Sequence, residues 1–311
     1  MLSRVAETIY WQARYMERTS SMLQVLRTNY IASQDQVHNF PWRPIILQYG
    51  QLTNDEGKAI ENDSRQVLEY LIFDKSNIGS AYNNIVQARE NARSIQDHIT
   101  KEVWQCLNDF YHFIKEPYVE QEVKFGDPLS AIDEMIKKCL LYTGTVDNTM
   151  TRDEGFTFMN IGKLLERSIQ ITDVLRIKLT DLKQEANNPG GAPGLRYLLY
   201  SLYGFEIFLK TYKGKFNAQS VLHLLLYNTD FPHSVLYSLD RLYRLFERLK
   251  PESLPENYEQ LDFLIGKTIN SIKYTHINTD NPLSLGEFLF KARTDLVEIA
   301  GSFSKFYFGK T

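Results

Sequence analysis

Residues 3–31 read SRVAETIYWQARYMERTSSMLQVLRTNYI, and this stretch decides the fold. Its apolar residues recur at the three- and four-residue spacing that places side chains on one face of an α-helix. That face comprises Leu2, Val5, Ile9, Ala13, Met16, Ser20, Leu23 and Tyr30. A second apolar strip on the same helix comprises Trp11, Tyr15, Met22 and Leu26. We therefore predict one long helix from about Ser3 to Ile31 that is buried on two sides.

Helical spacing continues along almost the whole chain. It predicts further helices at about 62–73, 79–115, 128–143, 151–184, 195–212, 218–227, 234–249, 256–275 and 284–308, with a capping box over residues 151–154. The alternation typical of a strand is confined to a short piece at residues 118–123. Pro41 indicates a loop at residues 39–43, and the run of Asn, Pro and Gly at residues 187–194 indicates a linker. The fold class is therefore all-α, a helical bundle with long central helices.

The composition excludes several classes of protein. The chain has 311 residues, of which 43% are hydrophobic and 23% charged, as is typical of a globular protein. We treat residues 1–311 as a single helical domain. A formal net charge of −3 and the lack of a long basic or apolar run indicate neither a nucleic acid nor a membrane as partner. Only two cysteines, Cys106 and Cys139, favour a reducing, cytoplasmic location.

Two parts of the sequence resemble each other after a shift of 149 residues. Residues 15–18 (YMER) then fall on residues 164–167 (LLER), and residues 25–27 fall on residues 174–176, both of which read VLR. A second correspondence places residues 76–80 on residues 230–234, each before a predicted helix. These matches predict two duplicated helical halves, 1–150 and 151–311. Because short motifs also coincide by chance, a chain without a repeat stays open as the alternative.

Arginine and acidic residues interrupt otherwise apolar helical segments. The candidate ligand-binding residues are Arg14, Glu17, Arg18, Arg89, Glu90, Arg93, Arg152, Asp153, Glu166 and Arg167. Arg89 and Arg93 are four residues apart and project from one helical face, where like charges repel unless an anion lies nearby. Either the glutamates supply that anion in a buried structural network, or the guanidinium groups bind a ligand carboxylate or phosphate. In both cases we expect the charged residues to converge on one polar centre.

Other motifs for catalysis or cofactor binding are weak. Gly309-Lys310-Thr311 resembles the end of a phosphate-binding loop but lacks the leading glycine and a following helix. The six histidines have no metal-ligand spacing, and Asp109 with His112 would supply only half of a di-iron site. We therefore expect no metal site and no cofactor, and we assign no catalytic residue.

Four blocks of sequence carry a family resemblance. They are residues 1–18 (MLSRVAETIYWQARYMER), residues 88–108 with ARENAR at the start and Trp104 and Asn108 later, residues 150–167 ending in LER, and residues 231–235 (FPHSV). In this order they closely resemble the alpha-E family, helical bacterial proteins named for an ER motif. Two positions depart from the family pattern: His233 stands where the family usually has Arg, and residues 76–80 (SNIGS) replace an Asn-Pro-Ser-Ser-Ile-like turn.

The resemblance implies a role beside peptide-bond chemistry. Family members occur beside, or fused to, circularly permuted ATP-grasp peptide-ligase-like proteins, with transglutaminase-like peptidases nearby. We therefore expect a non-catalytic partner of an ATP-grasp amidoligase that binds an anionic peptide or phosphate ligand. Two alternatives stay open. One is an enzyme acting on a peptide or amide-linked substrate with Glu17, Glu90 or Glu166 as general base; the other is a scaffold whose Arg and Glu residues only lock helices.

Overall fold

A computed structural model describes residues 1–35, 41–178, 193–213, 216–250, 256–275 and 282–309 of the chain. Every regular element within these ranges is a helix, so the all-α prediction is confirmed. The predicted linker as far as residue 192, and Lys310 and Thr311 of the rejected phosphate-loop motif, lie outside the described residues. Among the helices in the described ranges, none is both long and apolar enough to cross a membrane.

The helices belong to two compact units. The N-terminal unit comprises Thr8–Met159, and the C-terminal unit comprises Met1–Glu7 and Asn160–Thr311. The first nine helices are α1 (Ser3–Gln34), α2 (Arg43–Tyr49), α3 (Asn54–Ile60), α4 (Ser64–Phe73), α5 (Ala81–Ser94), α6 (Lys101–Lys115), α7 (Pro117–Phe125), α8 (Pro128–Thr149) and α9 (Glu154–Ile177). They are followed by α10 (Pro193–Ser201), α11 (Phe205–Tyr212), α12 (Ala218–Leu222), α13 (Val235–Glu247), α14 (Glu256–Tyr274) and α15 (Pro282–Phe306).

Helix α1 is buried on more sides than the sequence predicts. Leu23 on the first apolar strip and Leu26 on the second are both 0% exposed. The polar residues Gln12 and Thr19 are also 0% exposed, whereas Leu2, predicted on the first strip, is 78% exposed. A helix with apolar residues around most of its circumference lies in the protein interior. The prediction of a long helix buried on two sides is therefore confirmed, and its burial extends to polar positions.

Residues 79–115 form two helices, so the prediction of one long helix there is wrong. Helix α5 begins after Ser80, whose side chain accepts a hydrogen bond from the Asn83 N–H. Helix α6 begins after Thr100, whose side chain accepts from the Val103 N–H at 3.3 Å. Side-chain oxygens that cap a helix favour a new helix start over continuation. The short connection between the two contacting helices makes them an antiparallel hairpin.

The predicted strand at residues 118–123 is wrong, because these residues lie in helix α7. Pro117 is in its first turn, a position that needs no N–H donor. Val119 and Val123 are the buried side chains of α7, and their spacing of four fits one helical face. The alternation read from the sequence therefore reflected one face of a short helix.

The start of helix α9 also differs from the prediction. The sequence predicts a capping box over residues 151–154, with Thr151 as the cap. In the structure the Asp153 side chain accepts from the Phe156 N–H at 3.0 Å, and the Thr151 hydroxyl donates to Asp153 at 2.9 Å. Asp153 is therefore the cap, and Thr151 supports it. Helix α8, predicted to end near residue 143, extends to Thr149.

Residues 195–212 form helices α10 and α11 instead of the one predicted helix. Tyr203 between them has a left-handed backbone with φ of 56°. The Gly204 N–H donates to the Leu199 carbonyl at 2.7 Å, which closes the end of α10. A Cβ atom at Gly204 would lie 3.1 Å from Leu199 Cδ2, so the turn favours glycine there. Apolar residues continue at helical spacing across this turn, so the sequence pattern does not reveal it.

Helices α13, α14 and α15 form an aromatic and aliphatic core in the C-terminal unit. The Phe246 ring stacks on Tyr258 at a centroid distance of 4.6 Å, and the Phe303 ring meets Phe246 edge-on at 6.0 Å. Leu239 and Ile265 are 0% exposed. The predictions at 234–249, 256–275 and 284–308 are confirmed to within about two residues at each helix end.

Two turns with the same local geometry precede α5 and α13. In each turn the side chain of the first residue, Asp74 or Asn228, accepts from the backbone N–H two residues later, at 2.7 Å and 2.9 Å. The last residue, Ser80 or Ser234, donates its N–H to the carbonyl three residues earlier, at 2.9 Å and 3.0 Å. The turns lie at positions that the sequence correspondence pairs. The duplication of the two halves stays a prediction.

Candidate functional site

The ten candidate residues lie at four places in the chain. Arg14, Glu17 and Arg18 are on α1, Arg89, Glu90 and Arg93 are on α5, Arg152 and Asp153 precede α9, and Glu166 and Arg167 are on α9. The first three places belong to the N-terminal unit, whereas Glu166 and Arg167 belong to the C-terminal unit. Each place has a different environment, so each is described separately.

On α1, Arg14 and Glu17 are buried and Arg18 is half-buried. Arg14 is 7% exposed; its Nη1 donates to the Tyr10 hydroxyl at 3.3 Å, and its Cζ lies 4.4 Å from the centroid of the Trp11 ring. Glu17 is 8% exposed. Burial raises the pKa of the Cys139 thiol, and the Glu17 charge raises it further. Cys139 is therefore a buried neutral thiol, consistent with a packing role.

Arg152 and Asp153 stabilise the turn in which they lie. The Arg152 guanidinium donates to the carbonyls of Met150 at 3.1 Å and Asp147 at 2.6 Å, and it covers the Phe156 ring at 4.0 Å. Asp153 caps α9. The contacts of both residues in the described part of the chain are thus local ones that fix the connection from α8 to α9.

Glu166 and Arg167 each form a hydrogen bond in the C-terminal unit. Glu166 is 1% exposed and accepts from the Gln170 side chain at 3.0 Å. Arg167 Nη1 donates to the Pro232 carbonyl at 3.4 Å. Burial lowers the pKa of His233 well below 6.5, and the nearby Arg167 charge lowers it further. The third and fourth sequence blocks therefore meet at one turn, residues 231–234.

The ring of Tyr203, whose backbone is left-handed, lies against that turn. The Tyr203 and His233 ring centroids are 5.0 Å apart. Ser234 is 0% exposed, and its hydroxyl has no hydrogen-bond partner among the described residues. The Tyr203 ring thus lies beside His233, and burial together with the Arg167 charge favours the neutral imidazole.

Arg89 is held by four side chains of the α5–α6 hairpin. Its Nε donates to the Asn108 side chain at 3.2 Å, and its Nη1 pairs with Glu90. Its Cζ lies 4.6 Å from the Tyr111 ring centroid and 5.3 Å from that of Trp104. Its Nη2 has no partner in the part of the chain that the structure describes. A guanidinium fixed in this way is preorganised to donate to an oxyanion.

Cations lie beside aromatic rings along this hairpin and in the turn before it. We call this group of residues the cation–aromatic ladder. Its members are Lys75, Tyr82, Lys115, Tyr111, Arg89, Trp104 and Arg93. Lys75 Nζ lies 5.3 Å from the Tyr82 ring centroid. Lys115 Nζ lies 4.8 Å from the Tyr111 ring centroid and donates to its hydroxyl at 3.1 Å. At the other end, Arg93 lies 3.6 Å from Glu90.

The ladder is a positively charged surface on a chain whose formal net charge is −3. It carries two arginines and two lysines, and Glu90 is the carboxylate that pairs with the arginines. The hydrogen bond with Tyr111 raises the pKa of Lys115, so this lysine is charged at neutral pH. Side chains of this kind can bind an anion and orient it.

Three of the candidate residues lie together on α5. Arg89, Glu90 and Arg93 form one group. The hydrogen bonds and ion pairs of Arg89 within the described ranges are with Asn108 and Glu90, and they do not include Glu17. Glu17 is instead buried on α1. Arg89 on α5 therefore does not bond directly to Glu17 on α1, as we expected for a single polar centre.

Sequence reasoning missed five members of the ladder as site residues, which are Lys75, Tyr82, Trp104, Tyr111 and Lys115. A signal was present, because Trp104, Asn108, Tyr111 and Lys115 follow at spacings of four, three and four along α6. This spacing places them on one face of that helix. One predicted helix over residues 79–115 hides this signal, because it leaves α5 and α6 unable to face each other.

A separate cleft in the N-terminal unit has the opposite charge. Its volume is about 540 Å³, and its lining includes Glu56, Glu69, Asp74 and Glu120. Lys124 Nζ lies 2.7 Å from Glu69 and 2.8 Å from Glu120, so two of the carboxylates are already paired. Glu56 completes a capping box of α3, and Asp74 closes the turn before α5. These carboxylates therefore serve the local structure.

Comparison with known proteins gives a family match and distant relatives. The family model Alpha-E, described as a predicted alpha-helical domain with a conserved ER motif, matches residues 1–308. The chain is 24% identical to the uncharacterized protein Mb2597 of Mycobacterium bovis over 262 residues, which cover 77% of this chain and 29% of the relative. The uncharacterized proteins MT2643 and Rv2567 of Mycobacterium tuberculosis match with the same coverage, at 24% and 23% identity. The chain thus spans less than a third of these relatives. No solved structure matches it.

Proposed function

The chain belongs to the Alpha-E family, and from this premise we propose that it is a non-catalytic partner of an ATP-grasp amidoligase and binds an anionic group at the cation–aromatic ladder. The proposal rests on the contacts of the Arg89 guanidinium group. Its guanidinium is fixed by Asn108, Glu90 and two aromatic rings, and its Nη2 has no partner among the described residues. Carboxylate and phosphate are the anions that this group recognises best.

The lengths of the relatives support a partner role. The matched segment covers 29% of the Mycobacterium bovis relative, so the rest of that chain is outside the similarity. A segment that forms one part of a much longer polypeptide has other parts of that polypeptide as permanent neighbours. We propose that the present chain has an equivalent neighbour, an ATP-grasp amidoligase-like protein, and a transglutaminase-like peptidase is a second candidate partner.

A structural function is the second candidate for the buried charged residues. Arg14, Glu17 and Glu166 are 7%, 8% and 1% exposed. Removing one member of a buried polar network leaves the others without compensation, at a cost of roughly 3 to 5 kcal/mol. We propose that these three residues lock the helices on which they lie, whereas the ladder binds the ligand.

The enzyme alternative has less support from the described residues. Glu17 and Glu166 are buried, and Glu90 is paired with both Arg89 and Arg93. Turnover assays on peptides with ATP test this alternative. Activity that disappears in Glu90→Gln would favour an enzyme over an accessory partner.

Anion binding is tested by thermal melts with inorganic phosphate and with N-acetylglutamate amide, at about ten times the Kd of each. We expect the melting temperature to rise by roughly 2–4 °C in the wild type and not to rise in Arg89→Gln. Lys137→Gln is the matched control, because Lys137 is an exposed lysine on α8 outside the ladder. A rise that persists in Arg89→Gln would refute the proposed site.

The partner role is tested by co-purification of this chain with an ATP-grasp amidoligase-like protein. We expect association, and we expect the rate of the ligase to change when this chain is added. The proposal fails if neither association nor a change in rate is observed.

A further inference from the structure

The ladder has a defined direction and length. Because α5 and α6 are antiparallel, Tyr82 at the start of α5 and Lys115 at the end of α6 lie at one end of the hairpin, and Arg89 lies beside Asn108 in the middle. Arg93 lies a further turn along α5. At a rise of 1.5 Å per residue, the distance along α5 from Tyr82 to Arg93 is about 16 Å. The cations are therefore spread along a line.

The spacing of these cations matches an extended peptide. Arg89 and Arg93 are four residues apart, which corresponds to about 6 Å along the helix axis. In an extended chain, alternate side chains share one face and are about 6.6 Å apart. Two acidic side chains at positions i and i+2 would therefore meet Arg89 and Arg93. Lys115 lies on the side of Arg89 away from Arg93, and its Nζ and the Arg89 Cζ are 4.8 Å and 4.6 Å from the centroid of the same Tyr111 ring.

The rings of the ladder distinguish between two kinds of polyanion. Single-stranded nucleic acid is bound by stacking bases on free aromatic faces. Here the Tyr111 ring has cations within 4.6 Å and 4.8 Å of its centroid, and the Tyr82 ring has Lys75 at 5.3 Å. The cations thus lie beside these rings, and their remaining N–H groups are left to contact carboxylates. An acidic peptide fits this surface better than a nucleic acid.

We propose that the ligand of the ladder is an extended acidic peptide with carboxylates on alternate residues, which lies along the α5–α6 hairpin from Arg93 towards Lys115. This inference rests on the proposed function, and it adds the class of ligand and its direction. Arg89 binds one carboxylate through its Nη2. Arg93, which is 64% exposed at its side chain, binds the next carboxylate along the chain.

The test uses three blocked probes: N-acetylglutamate amide, acetyl-Glu-Gly-Glu amide and acetyl-Glu-Glu-Gly amide. Their Kd values are measured by isothermal titration at low salt with the full chain. We call acetyl-Glu-Gly-Glu amide the alternate peptide and acetyl-Glu-Glu-Gly amide the adjacent peptide. We expect the alternate peptide to bind roughly 2- to 5-fold more tightly than either other probe, because one more exposed ion pair forms. We expect Arg93→Gln to remove this gain, and Lys137→Gln to retain it.

The outcomes separate this inference from the proposed function. Equal affinity for the alternate and adjacent peptides, or a gain that survives in Arg93→Gln, overturns the extended-peptide inference. If N-acetylglutamate amide still binds in an Arg89-dependent way, the proposed anion site stands. Failure of all three probes to bind overturns both. Tighter binding of a single-stranded oligothymidylate than of the alternate peptide also overturns the inference and favours nucleic acid.

Discussion

Arg14 and Arg89 show how one residue type has two different roles at the scale of single residues. Both guanidinium groups lie over aromatic rings, at 4.4 Å from Trp11 for Arg14 and 4.6 Å from Tyr111 for Arg89. Arg14 is 7% exposed on a helix that is buried on most sides. Arg89 lies on a hairpin whose neighbouring cations are exposed. The difference depends on the tertiary neighbours of each residue.

We expect Arg89→Lys to weaken binding of N-acetylglutamate amide, although the charge is kept. A lysine has no planar fork and cannot keep the Asn108 and Glu90 bonds while donating to a ligand. The expected loss is roughly 3- to 10-fold in Kd. Isothermal titration measures it, and Arg93→Lys, at an exposed position that needs only charge, is the control. Equal affinities in Arg89→Lys and the wild type would show that planarity has no role.

His233 is expected to make stability depend on pH. Its folded pKa lies well below 6.5, so the unfolded chain binds the proton first as the pH falls. The stability that it contributes is therefore complete above about pH 6.5 and is lost progressively below that value. Between about pH 7.5 and about pH 5.5 the wild type should lose roughly 1 kcal/mol more unfolding free energy than His233→Gln. Urea titrations at both pH values measure this difference, and identical losses in the two proteins would contradict the burial of a neutral imidazole.

At the scale of elements, caps decide where the helices begin. The sequence pattern favours Thr151 as the cap of α9, whereas the structure shows Asp153 in that role. We expect Asp153→Ala to destabilise the protein by about 1 kcal/mol and Thr151→Ala by only a few tenths. Chemical denaturation of the two variants compares them directly. The reverse order would restore the capping box that the sequence predicts.

The sequence predicts helices well where apolar residues recur over many turns, as in α1 and in α13 to α15. It fails where one local contact interrupts a favourable pattern. The Thr100 cap divides residues 79–115, and the left-handed turn at Tyr203 divides residues 195–212. Both breaks lie in sequence that is compatible with a helix. Each break depends on the conformation of a single residue, which the spacing of apolar residues does not reveal.

At the scale of the whole molecule, the candidate site was predicted in part. Arg89, Glu90 and Arg93 were identified because charges in apolar helices need partners. Lys115 and Tyr111 were not identified, because their relation to Arg89 depends on the reversal of the chain between α5 and α6. The family was identified from the order of four blocks, and the match over residues 1–308 confirms it.

The ladder and the aromatic core belong to different units, which makes them separable by mutation. Phe303 is 0% exposed in the C-terminal unit, and the ladder lies in the N-terminal unit. We expect Phe303→Ala to lower the free energy of unfolding by about 3–5 kcal/mol. The Kd of N-acetylglutamate amide, measured well below the melting temperature, should not change. A large change in that Kd would show that anion binding depends on the C-terminal core.

The central claim is that Arg89 and its neighbours on the α5–α6 hairpin form an anion-binding site. A crystal structure of the protein with acetyl-Glu-Gly-Glu amide, at about ten times its measured Kd, tests this most directly. We expect electron density for one carboxylate within hydrogen-bond distance of Arg89 Nη2 and for the second beside Arg93. A bound peptide located elsewhere, with the α5–α6 hairpin free of ligand, would contradict the claim.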